Sequence, residues 1–354
     1  MKNFIIILIC FMLIIFLFPA MFTKSFILNI GENNETKEKE EKQKTSKNNT
    51  KGEEKENNSL SSIDGTNHNY KKYGTIKLLH TANYEVEEMP IDTYLLGVVS
   101  AEMPANFEQE ALKAQAVVAR TYTIYTIEHN KEKHEGADIC DSSKCCQAWI
   151  SKEDRMKKWD EEKRNGYWNK IEKAVYETAG KVITYNGEAI DAFFHSNSGG
   201  KTEIPLNVWG GSNYPYLQTV ETAGEDAYSQ YSSEVTLTKE EFEKKIKEKH
   251  QNFEINYDQE DAIKILEYTE SNRVKTVKVG NLKLSGVEIR TILGLKSASF
   301  EVKVENDQIQ FKVKGYGHGV GMSQTGADSM AKQGASYEQI IKHFYTNVEI
   351  EDWW

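Results

Sequence analysis

From Phe4 to Phe22 every position is apolar, about 19 residues, which is long enough for a helix to cross a hydrocarbon layer, and Lys2 and Lys24 bracket the run. A cleaved secretory leader has a shorter apolar stretch of ~7–15 residues and a small-residue cleavage site. Neither fits, so residues 1–24 are expected to form an uncleaved N-terminal membrane anchor that exports the rest of the chain. From Gly31 to about Asn69 the chain is almost wholly Lys, Glu, Asn, Thr and Ser and cannot repay its ordering entropy by burial. Residues 25–69 are therefore expected to be a disordered tether.

Beyond Tyr70 short and helical periods take turns. Gly74–Ala82 and Tyr84–Met89 read as strands, and Pro90-Ile91-Asp92 opens a helix, capped by Asp92, that carries LLGVVSAEMP. Between Glu108 and Asn130, Leu112, Ala116, Ala119 and Thr123 recur at helical spacing, with small alanines that permit close packing, which predicts a central core helix. Lys152–Thr178 reads as one long charged helix ended by Gly180, and Lys181–Phe194 as a hairpin turning at Asn186-Gly187. Past Tyr216 the texture changes. Thr238 and Glu241 make a capping box for a helix over Lys239–His250, Ala262–Glu270 and Val274–Val279 read as strands, Ser285 caps a short helix, and Asn306-Asp307 turns another hairpin. A Gly-rich segment leads into a helix ending near Gly334, and a last helix starts after Ser336. Hairpins mixed with core helices, without βαβ alternation or internal repeat, predict an α+β fold. Antiparallel hairpins would pack around core helices over residues 70–354, with 222–300 as an inserted α+β subdomain.

Composition narrows the partners. The 354 residues are 39% hydrophobic, enough for a sizeable core. A formal charge of −10 argues against nucleic acid, because phosphate binding needs concentrated Lys and Arg. Eighteen Tyr and six Trp would suit stacking against sugar rings, although core packing claims most aromatics in any domain.

Three places carry chemistry. Glu102 sits in VVSAEMP among apolar and small neighbours, a setting that desolvates a carboxyl, raises its pKa and makes a general acid; the plain alternative is an ordinary helix-end Glu. Cys140, Cys145 and Cys146 share the loop ICDSSKCCQ, with His134 upstream and Cys10 confined to the apolar run. Thiolates and an imidazole so near in sequence can close around zinc as a structural staple, and a Cys140–Cys146 disulfide with one spare thiol is the alternative. GYGHGVGMSQTGA sets glycines around His318, Ser323 and Gln324, and HSNSGG sets Gly199 and Gly200 beside His195, Ser196 and Ser198, so backbone can approach a ligand closely. On these residues alone, Ser323 or Ser198 with a histidine base is a candidate nucleophile, although neither lies in G-x-S-x-G. A glycine-driven turn with a structural histidine stands equally.

Taken in order, VVSAEMP, LKAQAVVARTYT, CCQAW, FHSNSGG, VWGG followed by PYL, and GYGHGVGMSQTGADSMAKQG resemble the stage II sporulation protein D family of endospore-forming bacteria, from about Tyr73 to the C-terminus. The resemblance implies a lytic transglycosylase, a carbon–oxygen lyase acting on polysaccharide. It would cleave between N-acetylmuramic acid and N-acetylglucosamine in peptidoglycan strands, preferably stripped of stem peptides, and leave 1,6-anhydro ends during forespore engulfment. Glu102 matches the family's catalytic glutamate, and the motifs hold no obvious second acid. Lys113, Gln115 and Arg120 match the central helix, His195, Ser196, Ser198, Gly199 and Gly200 the cleft loop, and His318, Ser323 and Gln324 the final loop. Sugar binding is their implied role, with buried structural polar groups as the alternative for Gln115 and Arg120. Some clostridial relatives carry a histidine where this chain has Cys145, so the set His134, Cys140, Cys145 and Cys146 keeps a soft ligand while the fourth partner stays open. Zinc would be structural, with no cofactor needed for the chemistry.

The implied partners are peptidoglycan glycan strands, a sporulation amidase/endopeptidase (SpoIIP-like) that acts first, and a multi-pass membrane protein (SpoIIM-like). The implied place is the septal or engulfing membrane, with the folded domain outside the cytoplasm. Two other readings compete: a non-catalytic wall-binding amidase activator, since the family contains amidase enhancers, and a zinc hydrolase whose Cys/His cluster keeps an open position.

Overall fold

A computed structural model describes residues 72–130, 133–212 and 214–353, so the expected anchor (1–24) and tether (25–69) lie outside the described residues. Among the described residues no helix is long and apolar enough to cross a membrane. The chain starts with an antiparallel hairpin, β1 (Thr75–His80) and β2 (Glu85–Pro90), whose second strand runs directly into α1 (Ile91–Glu102). Pro90 takes the N-cap place, and Asp92 falls inside the first turn, where its carboxylate pairs with Arg120 at 3.2 Å. The cap expected of Asp92 is thus replaced by a buried ion pair.

α2 (Gln109–His129) is the central helix. Ala111, Ala114, Ala116 and Ala119 are buried along it, and with no bulky side chains there, neighbouring helices can come close on several faces. β3 (Ile139–Cys140) then adds in parallel to β1. The single helix expected over 152–178 is two, α3 (Lys152–Lys158) and α4 (Glu161–Glu177). Trp159 and Asp160 between them are extended, Ser151 caps α3 through the Asp154 amide, and Glu161 and Glu162 open α4 with charge that suits a helix N-terminus.

β4 (Lys181–Tyr185) and β5 (Glu188–Ala189) form the expected hairpin, with Asn186 and Gly187 both at positive φ. β6 (Phe194–His195), α5 (Pro205–Trp209) and a short turn of 3₁₀ helix over Glu225–Ala227 come next. β7 (Ser232–Thr238) leads into α6 (Lys239–Lys247) through the full Thr238–Glu241 capping box. β8 (Ile263–Tyr268), β9 (Val274–Val279) and β10 (Leu282–Ser285) make one antiparallel sheet, and Ser285 caps α7 (Gly286–Leu293). β11 (Ser299–Glu305) and β12 (Gln308–Lys314) pair antiparallel, with β7 on the far side of β12. β13 (Met322–Ser323), α8 (Gln324–Lys332), α9 (Tyr337–Phe344) and β14 (Glu349–Asp352) close the chain, β14 pairing with β4. The class is α+β with mostly antiparallel sheets, as the periodicity predicts.

The described residues form two apolar cores. The first surrounds α2 and takes in Leu95, Val118, Ile171, Ile183, Met322 and Ile341. The second collects Phe242, Phe253, Phe300, Ile309 and Phe311 from β7 to β12 and α6. Arg273 lies between the strand-rich part and the glycine loops, where its guanidinium donates to the Ser198 carbonyl at 2.7 Å and the Lys201 carbonyl at 2.9 Å.

Candidate active site

The two glycine-rich motifs are zipped together by backbone. β6 and β13 run parallel, Met322 beside Phe194 and Ser323 beside His195, and Asn197 and Tyr316 exchange amide–carbonyl bonds of 3.0 and 2.8 Å. Such an approach excludes side chains at two points. A Cβ on Gly321 (φ +71°) would fall 1.9 Å from the Phe193 carbonyl oxygen, and one on Gly317 (φ +118°) 2.8 Å from the His195 Cβ.

Beneath this crossing lies Glu225, almost fully buried. Its carboxylate is met by the Ser198 amide at 3.0 Å, the Ser198 hydroxyl at 2.5 Å, the Gly200 amide at 3.1 Å, Thr222 Oγ1 at 2.7 Å, Thr325 Oγ1 at 3.0 Å and the Ser323 hydroxyl. A buried carboxylate is tolerable only when so satisfied. Ser198 and Ser323 are therefore committed to Glu225, and neither has a histidine partner among the described residues. Read from the residues alone, the nucleophile alternative is corrected by this geometry.

A cavity of about 930 Å³ opens beside the crossing, lined by Glu102, Tyr122, Lys133, Cys145, Cys146, Asp191, Phe193, His195, Ser196, Trp209, Arg290, Tyr316, His318 and Gln324 among others. A second cavity, of about 440 Å³ and lined by Asn106, Arg155, Trp159 and Tyr167, also ends at Glu102. The glutamate thus stands where two cavities meet. Trp209 and Tyr316 remain 51% and 44% exposed in the first cavity, open aromatic faces of the kind that stack on sugar rings.

Glu102 is the last residue of α1, half-buried, and burial lifts its carboxyl above the ordinary glutamate range. Two donors act against that lift: the Ala148 amide, 2.6 Å from Oε1, and the Gln324 side chain. Gln324 in turn donates to Gln115 Oε1 at 3.3 Å, so the central helix braces the group that touches Glu102. Both histidines of the cleft are neutral, held well down by burial, His195 to about 3. His195 Nδ1–H donates to the Val320 carbonyl at 3.1 Å, and His318 Nδ1 accepts from the Val320 amide at 3.0 Å. They shape the floor and carry no charge there.

The loop that supplies the Ala148 amide also gathers the four candidate metal ligands. One donor atom from each of His134, Cys140, Cys145 and Cys146 lies within 4.8 Å of all the others. His134 Nε2 is 3.3 Å from Cys146 Sγ and 3.7 Å from Cys145 Sγ, and the two sulfurs are 4.0 Å apart. The edges of a tetrahedral zinc site are roughly 3.6–3.8 Å for such ligands, so the donor set fits a four-coordinate ion. Among the described residues none of the three thiols is in a disulfide. Next to this cluster, Gln147 is buried and its amide donates to Tyr94 Oη and Thr123 Oγ1, each at 2.9 Å, which ties the loop to α1 and α2.

Of the residues the motifs single out, Glu102, His195, Ser196, His318 and Gln324 line the main cavity. Gln115 reaches it only through Gln324. Lys113 is paired with Glu110 at 3.0 Å and Glu177 at 2.8 Å, and Arg120 is fully buried between Asp92 and the Val175 and Thr178 carbonyls; neither lines the cavity. Ser198, Gly199, Gly200 and Ser323 belong to the backbone crossing and its Glu225 clamp.

Sequence reasoning passes over Asp191. This carboxyl lines the cavity with Glu102, is pushed up to about 7 by burial against a weaker pull from Lys133, and has no hydrogen-bond partner among the described residues. The cleft therefore does hold a second acid. Its only sequence signal is an Asp embedded in the apolar run AIDAFF.

The family described as stage II sporulation protein matches residues 80–185, and a domain of unknown function, DUF8618, matches residues 217–321. Stage II sporulation protein D of Bacillus subtilis (strain 168) is 37% identical over 284 residues, covering 78% of this chain and 79% of that one. The protein of the same name from Bacillus amyloliquefaciens is 35% identical over 280 residues, with 78% and 79% covered. An amidase enhancer of Bacillus subtilis (strain 168) is 31% identical over 301 residues, 71% of this chain but 39% of its own length.

Proposed function

The chain belongs to the stage II sporulation protein D family, and from that premise we propose that it is a lytic transglycosylase cutting the glycan strands of peptidoglycan during sporulation. The observation that carries this reading is Glu102: a desolvated carboxyl at the junction of two cavities, with only two donors on it. Such a group keeps its proton into the working range of a general acid. In the first half of the reaction it gives that proton to the glycosidic oxygen between N-acetylmuramic acid and N-acetylglucosamine as the C–O bond breaks. In the second, the carboxylate so formed takes the proton of the muramic C6 hydroxyl, whose oxygen closes on C1 as a 1,6-anhydro ring. No water is consumed, and Glu102 ends protonated. The Ala148 amide and Gln324 stabilise the carboxylate between the two steps.

Asp191 sharpens the alternatives. Two carboxyls in one cleft are the equipment of a glycoside hydrolase as well. Its carboxyl, unpartnered and buried, is suited to remain protonated near neutrality and donate to the sugar, which leaves the proton transfers to Glu102. Zinc held by His134, Cys140, Cys145 and Cys146 would fix the loop that carries the Ala148 amide; with four protein donors it would have no open position, which argues against a zinc hydrolase. The reading extends to a membrane-anchored protein whose domain faces the wall outside the cytoplasm, next to a sporulation amidase/endopeptidase and a multi-pass membrane protein.

A second reading, a wall-binding amidase activator without catalysis of its own, is favoured by the likeness to the amidase enhancer. Mass spectrometry of fragments released from peptide-free glycan strands separates the two. Anhydro-muramic ends made by the wild type and missing with Glu102→Gln support the lyase, whereas wall binding without cleavage by either protein supports the activator.

A further inference from the structure

The arginines of the described residues divide by surroundings. Arg120 is paired with Asp92 at 3.2 Å, Arg164 with Glu161 at 2.7 Å, and Arg273 lies in the field of the Glu203 and Glu225 carboxylates. Arg155 and Arg290 differ: each is partly buried, and neither has a carboxylate partner among the described residues. These two are the arginines that line the cavities meeting at Glu102, Arg155 in the smaller and Arg290 in the larger.

A desolvated guanidinium without an acid is costly, because its lost hydration is not replaced. Arg155 lies over the Trp159 ring at 4.8 Å, its Nε is buried with no hydrogen-bond partner among the described residues, and Tyr167 packs edge-on to Trp159 at 5.5 Å. Among the described residues the Arg290 side chain makes only a long Nε bond to the Leu295 carbonyl, 3.4 Å, and it shares its cavity with the exposed rings of Trp209 and Tyr316. Each cavity thus holds aromatic rings and a planar cation that has no carboxylate partner among the described residues, the pairing expected for a sugar that bears a carboxylate.

We propose that Arg155 and Arg290 are specificity-determining residues that bind the free lactyl carboxylates of N-acetylmuramic acid units on either side of the scissile bond. This deepens the glycan-cleaving reading and rests on it. In a strand that still carries stem peptides the lactyl group is an amide, with no negative charge for a guanidinium to pair. In a peptide-free strand every second sugar presents a carboxylate, so both cavities can be filled by one strand. The two arginines would make a cleft on a net-acidic protein selective for the stripped polymer.

The test measures binding of the full-length, Glu102→Gln protein, so that no cleavage occurs, to peptide-free strands and to the same strands with their lactyl carboxylates converted to N-methylamides. We expect the carboxylate form to bind at least about tenfold more tightly, the effect of one charge-assisted hydrogen bond, and the preference to weaken with salt. Adding Arg290→Gln or Arg155→Gln should reduce the preference while leaving affinity for the methylamide strands in place, and Arg→Lys at either position should keep part of it. Thermal unfolding identifies any Gln variant that fails to fold, and the Lys variants then carry the comparison. No preference in the parent, or a preference unchanged in folded Gln variants, would overturn the proposal. Because binding is read without turnover, absence of anhydro products from the wild type tells against the lyase reading alone.

Discussion

Glu102 and Glu225 are both withdrawn from water, yet Glu102 borders open space with few donors on it, whereas Glu225 is enclosed and fully satisfied. Glu225 is met by six donor groups from Ser198, Gly200, Thr222, Ser323 and Thr325. Glu102 has two donors and two cavities. On the proposed reading, what separates the acid from the structural carboxylate is incomplete satisfaction next to open space, since burial is common to both.

Substitution at the two glutamates should separate these roles in opposite ways. Glu102→Gln keeps the shape and should lower kcat about 10²–10⁴-fold with an unfolding midpoint near that of the wild type. Glu225→Ala strands several buried donors at once and should cost about 3–5 kcal/mol in urea unfolding, while molecules that remain folded still form anhydro products. A large stability loss at Glu102, or selective loss of chemistry at Glu225, would reverse the roles.

Loss of metal should have a smaller effect than loss of either glutamate. If zinc holds the 133–148 loop, chelation or Cys146→Ser should lower activity roughly 10–100-fold by loosening the Ala148 amide from Glu102, and the zinc content measured in parallel should fall with it.

Asp191 makes a pH-dependent contribution. Its folded pKa, about 7, is above the unfolded value, so the stability it supplies is full below the unfolded carboxylate pKa and is lost as pH rises through about 7. Asp191→Asn should remove that slope and leave the protein more stable than wild type above this range, by about 1–3 kcal/mol in denaturant titrations at several pH values. The smallest effect belongs to Gln324→Ala. Losing a donor to the carboxylate raises the Glu102 pKa further, so the acid form persists longer and the basic limb of kcat/KM should move to higher pH, by less than about one unit.

Much of the scaffold was legible because it is local. The Thr238–Glu241 capping box, the Ser285 cap and the Asn186-Gly187 turn are each specified by two or three adjacent residues, and each is present. The break at Trp159-Asp160 was not legible, since the charged pattern continues through it; nor were β6 and β13, two residues each and defined only by one another. At the site, Glu102 could be read from its apolar setting, and the Cys/His cluster from spacing. Asp191, Arg155 and Arg290 could not, because what distinguishes them is the partner each lacks, and that depends on residues far away in sequence.

Whether Glu102 performs both proton transfers without water is tested most directly by digesting peptide-free strands in heavy-oxygen water. If it does, the new muramic ends are anhydro and carry no heavy oxygen. Reducing ends labelled with heavy oxygen would contradict this and assign the cleft, with Asp191 as its second carboxylate, to hydrolysis.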